Sequence, residues 1–502
     1  MVHTLHENLL LLVIGVPFIG AIITVAFPSN RPQLLRWWAL GIATVGLSLS
    51  SYIFLTYDVG DAGYQFSRQI TWLPSLDISL RLGVDGISSP LLLLNGVVFL
   101  AGVLISWNIT HRPKDFFVWL MLLVAGVYGV FTALDLFFLF FFYELAVLPM
   151  YLLIAVWGST TDFGTFIRTK EYGAMKLVLY LVAGSVLVWL SIIALWVDGG
   201  KTFNILALEE VTFTRNFQIL YFPISAIGFG ILAGLWPFHT WSPDGHVAAP
   251  TAVSMLHAGV LMKLGAYGIL RVSIVLLPEG AEFWAPVLLG LGTVNVLYGA
   301  IAALAQKDLK YVVGYSSVSH MGYVLMGLST LNAVGLDGAV LQMFSHGIMT
   351  ALFFALIGII YERTHVRDIG VLEGLARRMG ITAGLFSVAG LASLGLPGLS
   401  GFVAEFLVFL GLFRTYPIMA ILGVIGAAIT AVYILRLIAK VFFGPLDDRW
   451  SGLKEAGRRE LFASFFLVGF LILWGVYPWY IVDLIDTSIA PIAAVFSGAG
   501  IP

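Results

Sequence analysis

Seven charged side chains lie inside runs of this chain that are otherwise apolar enough to cross a bilayer: Glu144, Lys176, Lys263, Arg271, Glu405, Arg436 and Lys440. An ionisable group near the bilayer centre costs about 2.5–3.5 kcal/mol on insertion scales, so it persists beside a partner, near an interface or along an ion path. Glu144 precedes Pro149, whose ring removes one helical hydrogen bond and kinks the helix next to the carboxyl group. An acid held in apolar surroundings takes up a proton and releases it when a cation approaches, which is the minimal chemistry of a pump. Lys263 follows a Ser-Met-Leu-His-Ala-Gly-Val-Leu-Met run and has helix on either side, which places it near mid-membrane. Burial brings the charged and neutral forms of a lysine close in free energy, so Lys263 can alternate between them.

Three histidines, His257, His320 and His346, also fall inside apolar runs, and imidazole both accepts and donates a proton through its two nitrogens. They can form a relay, although an isolated core histidine serves equally well as a hydrogen-bonded packing residue. Glu405 comes four residues after Gly401, beside a Gly- and Pro-rich interruption where a carboxylate suits a proton gate. Its structural alternative is a pair with a neighbouring cation such as Arg436. Lys176 stands near the start of its run, where it either joins the path or reaches back to the membrane surface. Arg271 and Lys440 lie near helix ends and read as surface anchors. No histidine cluster has metal-ligand spacing, so no metal site is expected.

The elements that must position these groups are membrane helices. The 502 residues are 60% hydrophobic and 11% charged, against about 25% charged in a soluble domain. With a net charge of −2 and no basic face, the chain offers nothing for a nucleic acid. It has no cysteine, so a cysteine-ligated iron–sulfur cluster, a thiolate zinc site and a disulfide are all excluded. Residues 1–8 carry no Lys or Arg, which argues for a retained first helix rather than a cleaved signal peptide.

Apolar runs of about 20 residues predict about fourteen transmembrane helices in an all-α polytopic fold. The seventh covers 219–239, the eighth 251–277, the eleventh 336–361, the twelfth 382–413 and the fourteenth 461–489, and Asp135 alone separates the fourth from the fifth. Odd-numbered loops hold fifteen Lys and Arg and even-numbered loops five. That bias places the odd loops in the cytoplasm and both termini on the opposite, periplasmic side. Gly228, Gly230 and Gly234 before Trp236-Pro237, and the Gly395-Leu-Pro-Gly-Leu-Ser-Gly401 stretch, predict that the seventh and twelfth helices are broken. Two such breaks five helices apart are the mark of a transporter built from paired inverted repeats.

The segments Phe142-Tyr-Glu-Leu-Ala-Val-Leu-Pro-Met-Tyr, Pro237-Phe-His-Thr-Trp-Ser-Pro-Asp-Gly-His, Leu261-Met-Lys-Leu-Gly-Ala-Tyr-Gly, Asp308-Leu-Lys-Tyr-Val-Val-Gly-Tyr-Ser-Ser and Leu396-Pro-Gly-Leu-Ser-Gly-Phe-Val-Ala-Glu-Phe carry a resemblance. They resemble the antiporter-like membrane subunits of respiratory complex I, nearest the chain M or subunit 4 branch of proton-translocating NADH:quinone oxidoreductases. The resemblance covers nearly the whole chain. It implies N-terminal helices over 1–115, two inverted five-helix repeats over 116–283 and 284–443, and a C-terminal loop and helix over 444–502. It implies an enzyme-complex subunit that translocates protons in a bacterial cytoplasmic or thylakoid membrane, beside neighbouring antiporter-like, other membrane and peripheral subunits. NADH, FMN, iron–sulfur clusters and quinone would then belong to those partners, with no cofactor in this chain. The resemblance implies that Glu144 is the ion-pair glutamate, Lys263 the central lysine and Glu405 the outlet-side acid, with His320 and His346 on the linking axis; with Lys176 and His257 added from their own placement, the expected proton path is Glu144, Lys176, His257, Lys263, His320, His346 and Glu405.

One departure stands out. The family places a lysine on the seventh helix, a few residues before the Pro-x-His-x-Trp motif, as partner of Glu144; here Gly230-Ile-Leu-Ala-Gly-Leu-Trp236 has no cation. His257 occupies a position where the family shows an aliphatic residue, so His257 or Lys263 is expected to supply the missing charge. Two related functions share these motifs: a multisubunit Na+(K+)/H+ antiporter subunit and the membrane arm of a proton-pumping hydrogenase. A passive scaffold is the third alternative.

Overall fold

The structure is a computed structural model that describes residues 8–162 and 167–498; residues 1–7, whose lack of Lys and Arg predicts a retained first helix, lie outside them. The main helices, in order, are α1 (Leu9–Ala26), α2 (Pro32–Thr56), α3 (Ser88–Ile105), α4 (Pro113–Thr132), α5 (Leu136–Trp157), α6 (Lys170–Asp198), α7 (Arg215–Ala233) and α8 (Trp241–Ala248). They continue as α9 (Thr251–Ile274), α10 (Pro278–Ala305), α11 (Leu309–Leu328), α12 (Ala333–Thr364), α13 (Gly380–Ser393), α14 (Ser400–Thr415), α15 (Pro417–Phe442), α16 (Arg458–Val476) and α17 (Trp479–Phe496). Thirteen helices among the described residues are long and apolar enough to cross a membrane. The polar α11 and the two short halves α13 and α14 fall outside that group.

Loop-to-loop hydrogen bonds sort the helix ends onto two faces. On one, Leu309 N–H donates to the Arg367 carbonyl, Trp157 Nε1 to His111 and Arg36 to Ile109. These are odd-numbered loops, and the face they form is called basic below. On the opposite face, Leu134 N–H donates to Arg81, Leu136 N–H to Phe203 and Ile205 N–H to Leu134. Asp135 caps α5 there by accepting from Phe137 and Phe138 N–H at 3.0 and 3.3 Å, the role an aspartate before a helix plays best. The α4/α5 boundary therefore falls where Asp135 predicted it.

Both broken helices are present. α7 ends at Gly234, whose φ of +80° a side chain would resist. The freed backbone groups find partners: Asn295 accepts from Trp236 N–H at 2.6 Å and donates to the Gly234 carbonyl at 2.8 Å, while Trp241 Nε1 donates to Ile231 at 2.9 Å. Non-helical backbone at membrane depth is stable only when satisfied in this way. The second break, between α13 and α14, turns at Gly395 and Gly398. α9 is continuous but contains two wide, π-type turns, at His257–Leu261 and Ile269–Ile274, a distortion that often marks a functional site.

The fold is the expected helical membrane bundle with two small additions: β1 (Gln65–Leu73) and β2 (Ile78–Val84) form an antiparallel hairpin between α2 and α3, and Thr161–Asp162 pairs with Ile167–Arg168. The fourteenth span needs correction. The apolar run 461–489 is two helices, because Pro478 has no N–H to continue α16. Nor does α17 cross. Tyr480 donates to the Phe54 carbonyl at 3.2 Å, Ser488 accepts from Gly86 N–H at 2.8 Å, and Phe496 shares a surface cleft with Thr330 and Asn332. All of these partners lie on the opposite face, so α17 lies flat along it with Ile481, Leu484, Ile485 and Ile489 turned inward.

Candidate functional site

Helices α9 and α12 pass at backbone contact. A Cβ on Gly347 would stand 2.6 Å from the Gly259 carbonyl oxygen, and one on Gly259 3.1 Å from that of Gly347, so only glycine permits this approach. It brings Lys263 of α9 against His346 of α12. Lys263 Nζ lies 2.7 Å from His346 Nδ1 and also donates to the Ala258 carbonyl, which the wide turn of α9 leaves open to it. The His346 and His320 rings are 5.3 Å apart. His320 Nδ1 stands 3.2 Å from Glu405 Oε1 and its Nε2 is 3.0 Å from Ser393 Oγ. Gln342 also faces His320 Nδ1 at 3.2 Å. Lys263, His346, His320 and Glu405 are each at most 4% exposed. The four residues, from four helices, form one buried polar line.

His257 belongs to a side branch. Its ring lies 3.9 Å from that of His246 and stacks at 5.2 Å on Trp241, while neither of its nitrogens has a hydrogen-bond partner. His246 Nε2 meets Ser242 Oγ at 3.1 Å. Glu144 sits on α5 with Ser185 of α6 as the polar side chain beside it and one carboxyl oxygen unpartnered. Among the described residues no cation lies within ion-pair distance of it. The expected pairing of Glu144 with His257 or Lys263 is therefore not formed: the lysine bonds His346 and the histidine packs on His246.

Lys176 is neither a lone surface anchor nor a partner of Glu144. Its Nζ lies 2.7 Å from Asp244 Oδ2, and Asp244 also pairs with Arg168 and accepts from the Tyr311 hydroxyl at 2.8 Å. Asp244 is in the first turn of α8, the short helix that follows the first break. Lys310 donates to the Ala249 carbonyl at 2.6 Å, neutralising the C-terminal end of that same helix. Arg271 is no surface anchor either. It is buried, paired with Asp85 and flanked by the Tyr64 and Tyr267 rings at 5.5 Å each. Arg436 does not pair with Glu405; His320 does.

Sequence reasoning missed Asp244, His246, Lys310, Asn295 and Ser393. Asp244 and His246 lie in a polar motif that the sequence displays openly, but the partners of Asp244 are many residues away. Among the described residues, no group of His, Cys, Asp or Glu is arranged to hold a metal. The arrangement can pass protons: it alternates lone-pair nitrogens, ammonium or imidazolium donors and carboxylates.

Comparisons with known proteins converge. Residues 133–430 match a family profile described as NADH:quinone oxidoreductase/Mrp antiporter, transmembrane. The chain is 38% identical over 493 residues to the NAD(P)H-quinone oxidoreductase chain 4 of Synechococcus elongatus, covering 96% of this chain and 91% of that one. Among solved structures, a chain of respiratory complex I from Thermus thermophilus with bound NADH superposes with a TM-score of 0.89 at 28% identity, covering 97% of this chain and all of that one (100%). A chain of the Mrp complex from a Dietzia species shares the fold, with a TM-score of 0.84 at 20% identity over 99% of this chain and 100% of that one.

Proposed function

The chain belongs to the NADH:quinone oxidoreductase/Mrp antiporter transmembrane family, and from that membership we propose that it is a proton-translocating membrane-arm subunit of an NAD(P)H:quinone oxidoreductase. It is a multi-pass membrane protein whose partners are the other membrane and peripheral subunits of that complex. Those partners carry NADH, flavin, iron–sulfur clusters and quinone. The basic face is cytoplasmic and both termini lie on the other side, in a bacterial cytoplasmic or thylakoid membrane. Residues 116–283 and 284–443 act as two inverted repeats, each with one broken helix.

The observation that carries this reading is the buried line Lys263–His346–His320–Glu405. A charged Lys263 donates to His346 Nδ1; handing that proton over leaves an amine that still bonds the imidazole. A proton leaving the His346 ring crosses to the His320 ring, 5.3 Å away, and is taken up at Nε2 as His320 Nδ1 releases its own to the Glu405 carboxylate. Lys176–Asp244 sits upstream, toward the basic face, with Glu144, His257 and His246 alongside. Moving one charge raises or lowers the proton affinity of the next group, so redox-driven change elsewhere in the complex drives hydrogen ions along the line.

The test is to replace Glu144 with Gln and Lys263 with Met together in the assembled complex and to measure protons pumped per electron. The expected outcome is loss of pumping by this subunit. Pumping at the unmodified ratio would support a passive scaffold. A multisubunit antiporter subunit remains the second reading, because the same fold occurs in the Mrp complex. Co-purification with only small membrane polypeptides, without quinone-reducing activity, would favour it.

A further inference from the structure

The last turns of α15 carry two cations one helical turn apart, Arg436 and Lys440, both exposed on the outer side of the helix. Like charges at this spacing repel, and neither takes part in an ion pair with another described residue. Two adjoining cavities of about 390 Å³ each meet at this pair. One reaches Lys307 and Asp368 at the α10–α11 corner, and the other reaches Glu373 and Phe443. The packing of α15 on α10 sets the depth of the recess. A Cβ on Gly426 would run into Val296, and both helices end on the basic face, so ten residues further on Arg436 draws level with Gln306, just past the end of α10. The two cations therefore stand where the bilayer meets water. Below Arg436, exposed apolar side chains continue down the outer side of α15 at Val432, Ile425 and Ile421.

We propose that this recess binds the headgroup of an anionic phospholipid in the basic-face leaflet, with the phosphate between Arg436 and Lys440 and an acyl chain along Val432 and Ile425. Three cations, Lys307, Arg436 and Lys440, face two carboxylates, Asp368 and Glu373, which leaves one positive charge in excess. Guanidinium and ammonium groups give phosphate oxygens charge-assisted hydrogen bonds, and basic recesses between membrane helices hold lipid headgroups in this way. The carboxylates decide which lipid. Asp368 Oδ1 accepts from the Gly370 N–H at 2.7 Å; its second oxygen and the Glu373 carboxyl accept from headgroup hydroxyls. A glycerol headgroup carries two such hydroxyls and a choline headgroup none, so the site selects phosphatidylglycerol over phosphatidylcholine. An acidic loop of a neighbouring subunit would also meet the cations, but the apolar run beneath them at bilayer depth matches a chain attached to the phosphate. Lipid binding here requires only that the chain crosses a membrane and is independent of proton transfer along the buried line.

The test places the assembled complex in phosphatidylcholine vesicles with a trace of phosphatidylglycerol that bears a diazirine near the top of one acyl chain. After illumination the labelled peptides are mapped. Adducts on the outer side of α15 are expected, with a several-fold loss in the Arg436→Gln, Lys440→Gln double variant and retention in Arg436→Lys, which keeps the charge. Equal labelling by a matching phosphatidylcholine probe, or undiminished labelling of the double variant, overturns the headgroup site; the first comparison uses the unaltered complex and so holds even if the variant fails to assemble. Excess inorganic phosphate should leave the labelling unchanged, and displacement of the probe by it would reassign the recess to a soluble anion and overturn lipid binding. Adducts on a neighbouring subunit with none on α15 would show that protein covers the recess, and would overturn it too.

Discussion

Asp244 holds two cations and a tyrosine hydroxyl, so removing its charge while keeping its size is informative. Asp244→Asn leaves Arg168 and Lys176 facing an amide; Lys176 is 18% exposed and Arg168 35%. Water can reach the pair, so the loss should be about 1–3 kcal/mol, below that of a fully buried pair, and a lower melting temperature of the purified complex checks it. His257→Leu is the sharper functional substitution. It conserves bulk beside Trp241 and His246 but removes the imidazole. Pumping per electron should fall, and an unchanged ratio would remove His257 from the path. Glu144, Lys263, His320, His346 and Glu405 were legible in the sequence because a charged or imidazole group stands out in an apolar run. Their partners were not, because each bond joins different helices: Lys263 and His346 are 83 residues apart, and Lys176 and Asp244 are 68. Spacing along one helix carries no information about such contacts.

Among the elements, the α9–α12 contact decides whether the line exists. Gly347→Ala drives a methyl group into the Gly259 carbonyl, and the resulting separation should cost about 1–3 kcal/mol. It should also lengthen the Lys263–His346 bond, visible as reduced pumping in a complex that still assembles. The hairpin offers a prediction outside the membrane. Burial pushes the Asp77 carboxyl up, but hydrogen bonds from Thr202 and Arg81, with the charge of Arg81, outweigh it and hold the group below its ordinary 3.8. A depressed carboxyl stabilises the folded arrangement above that ordinary value and loses the contribution as pH falls through the folded one. Proteolysis of the hairpin should therefore quicken in acid, and Asp77→Asn should remove that pH dependence. Both helix breaks were readable because Gly and Pro signal them locally. The hairpin signal was also there, as Ile78, Leu80, Leu82 and Val84 alternating with Ser79, Arg81 and Gly83. It was overlooked because the count of apolar runs treats everything between spans as loop. The flat course of α17 was hidden for the opposite reason: its 18 residues have the length and mean hydropathy of a span, and only contacts along one face reveal its direction.

At the scale of the whole molecule, the charge bias of the loops and the hydrogen bonds between them describe the same two faces. Single cysteines at Lys201 and Lys307 should therefore react with an impermeant reagent from opposite sides of the membrane, and same-sided labelling would overturn the orientation. Lys263, His346, His320 and Glu405 also lie well inside their respective helices, and the line they form runs from helix to helix rather than from face to face. A charge moving along it travels within the plane of the bilayer, where the transmembrane electric field does almost no work on it. Voltage can therefore act only on the vertical legs that join this line to either surface. Raising the membrane potential should slow the steps that load and empty the line while leaving transfer along it unaffected, so that fast electrometric recordings would find an electrically silent phase between two electrogenic ones.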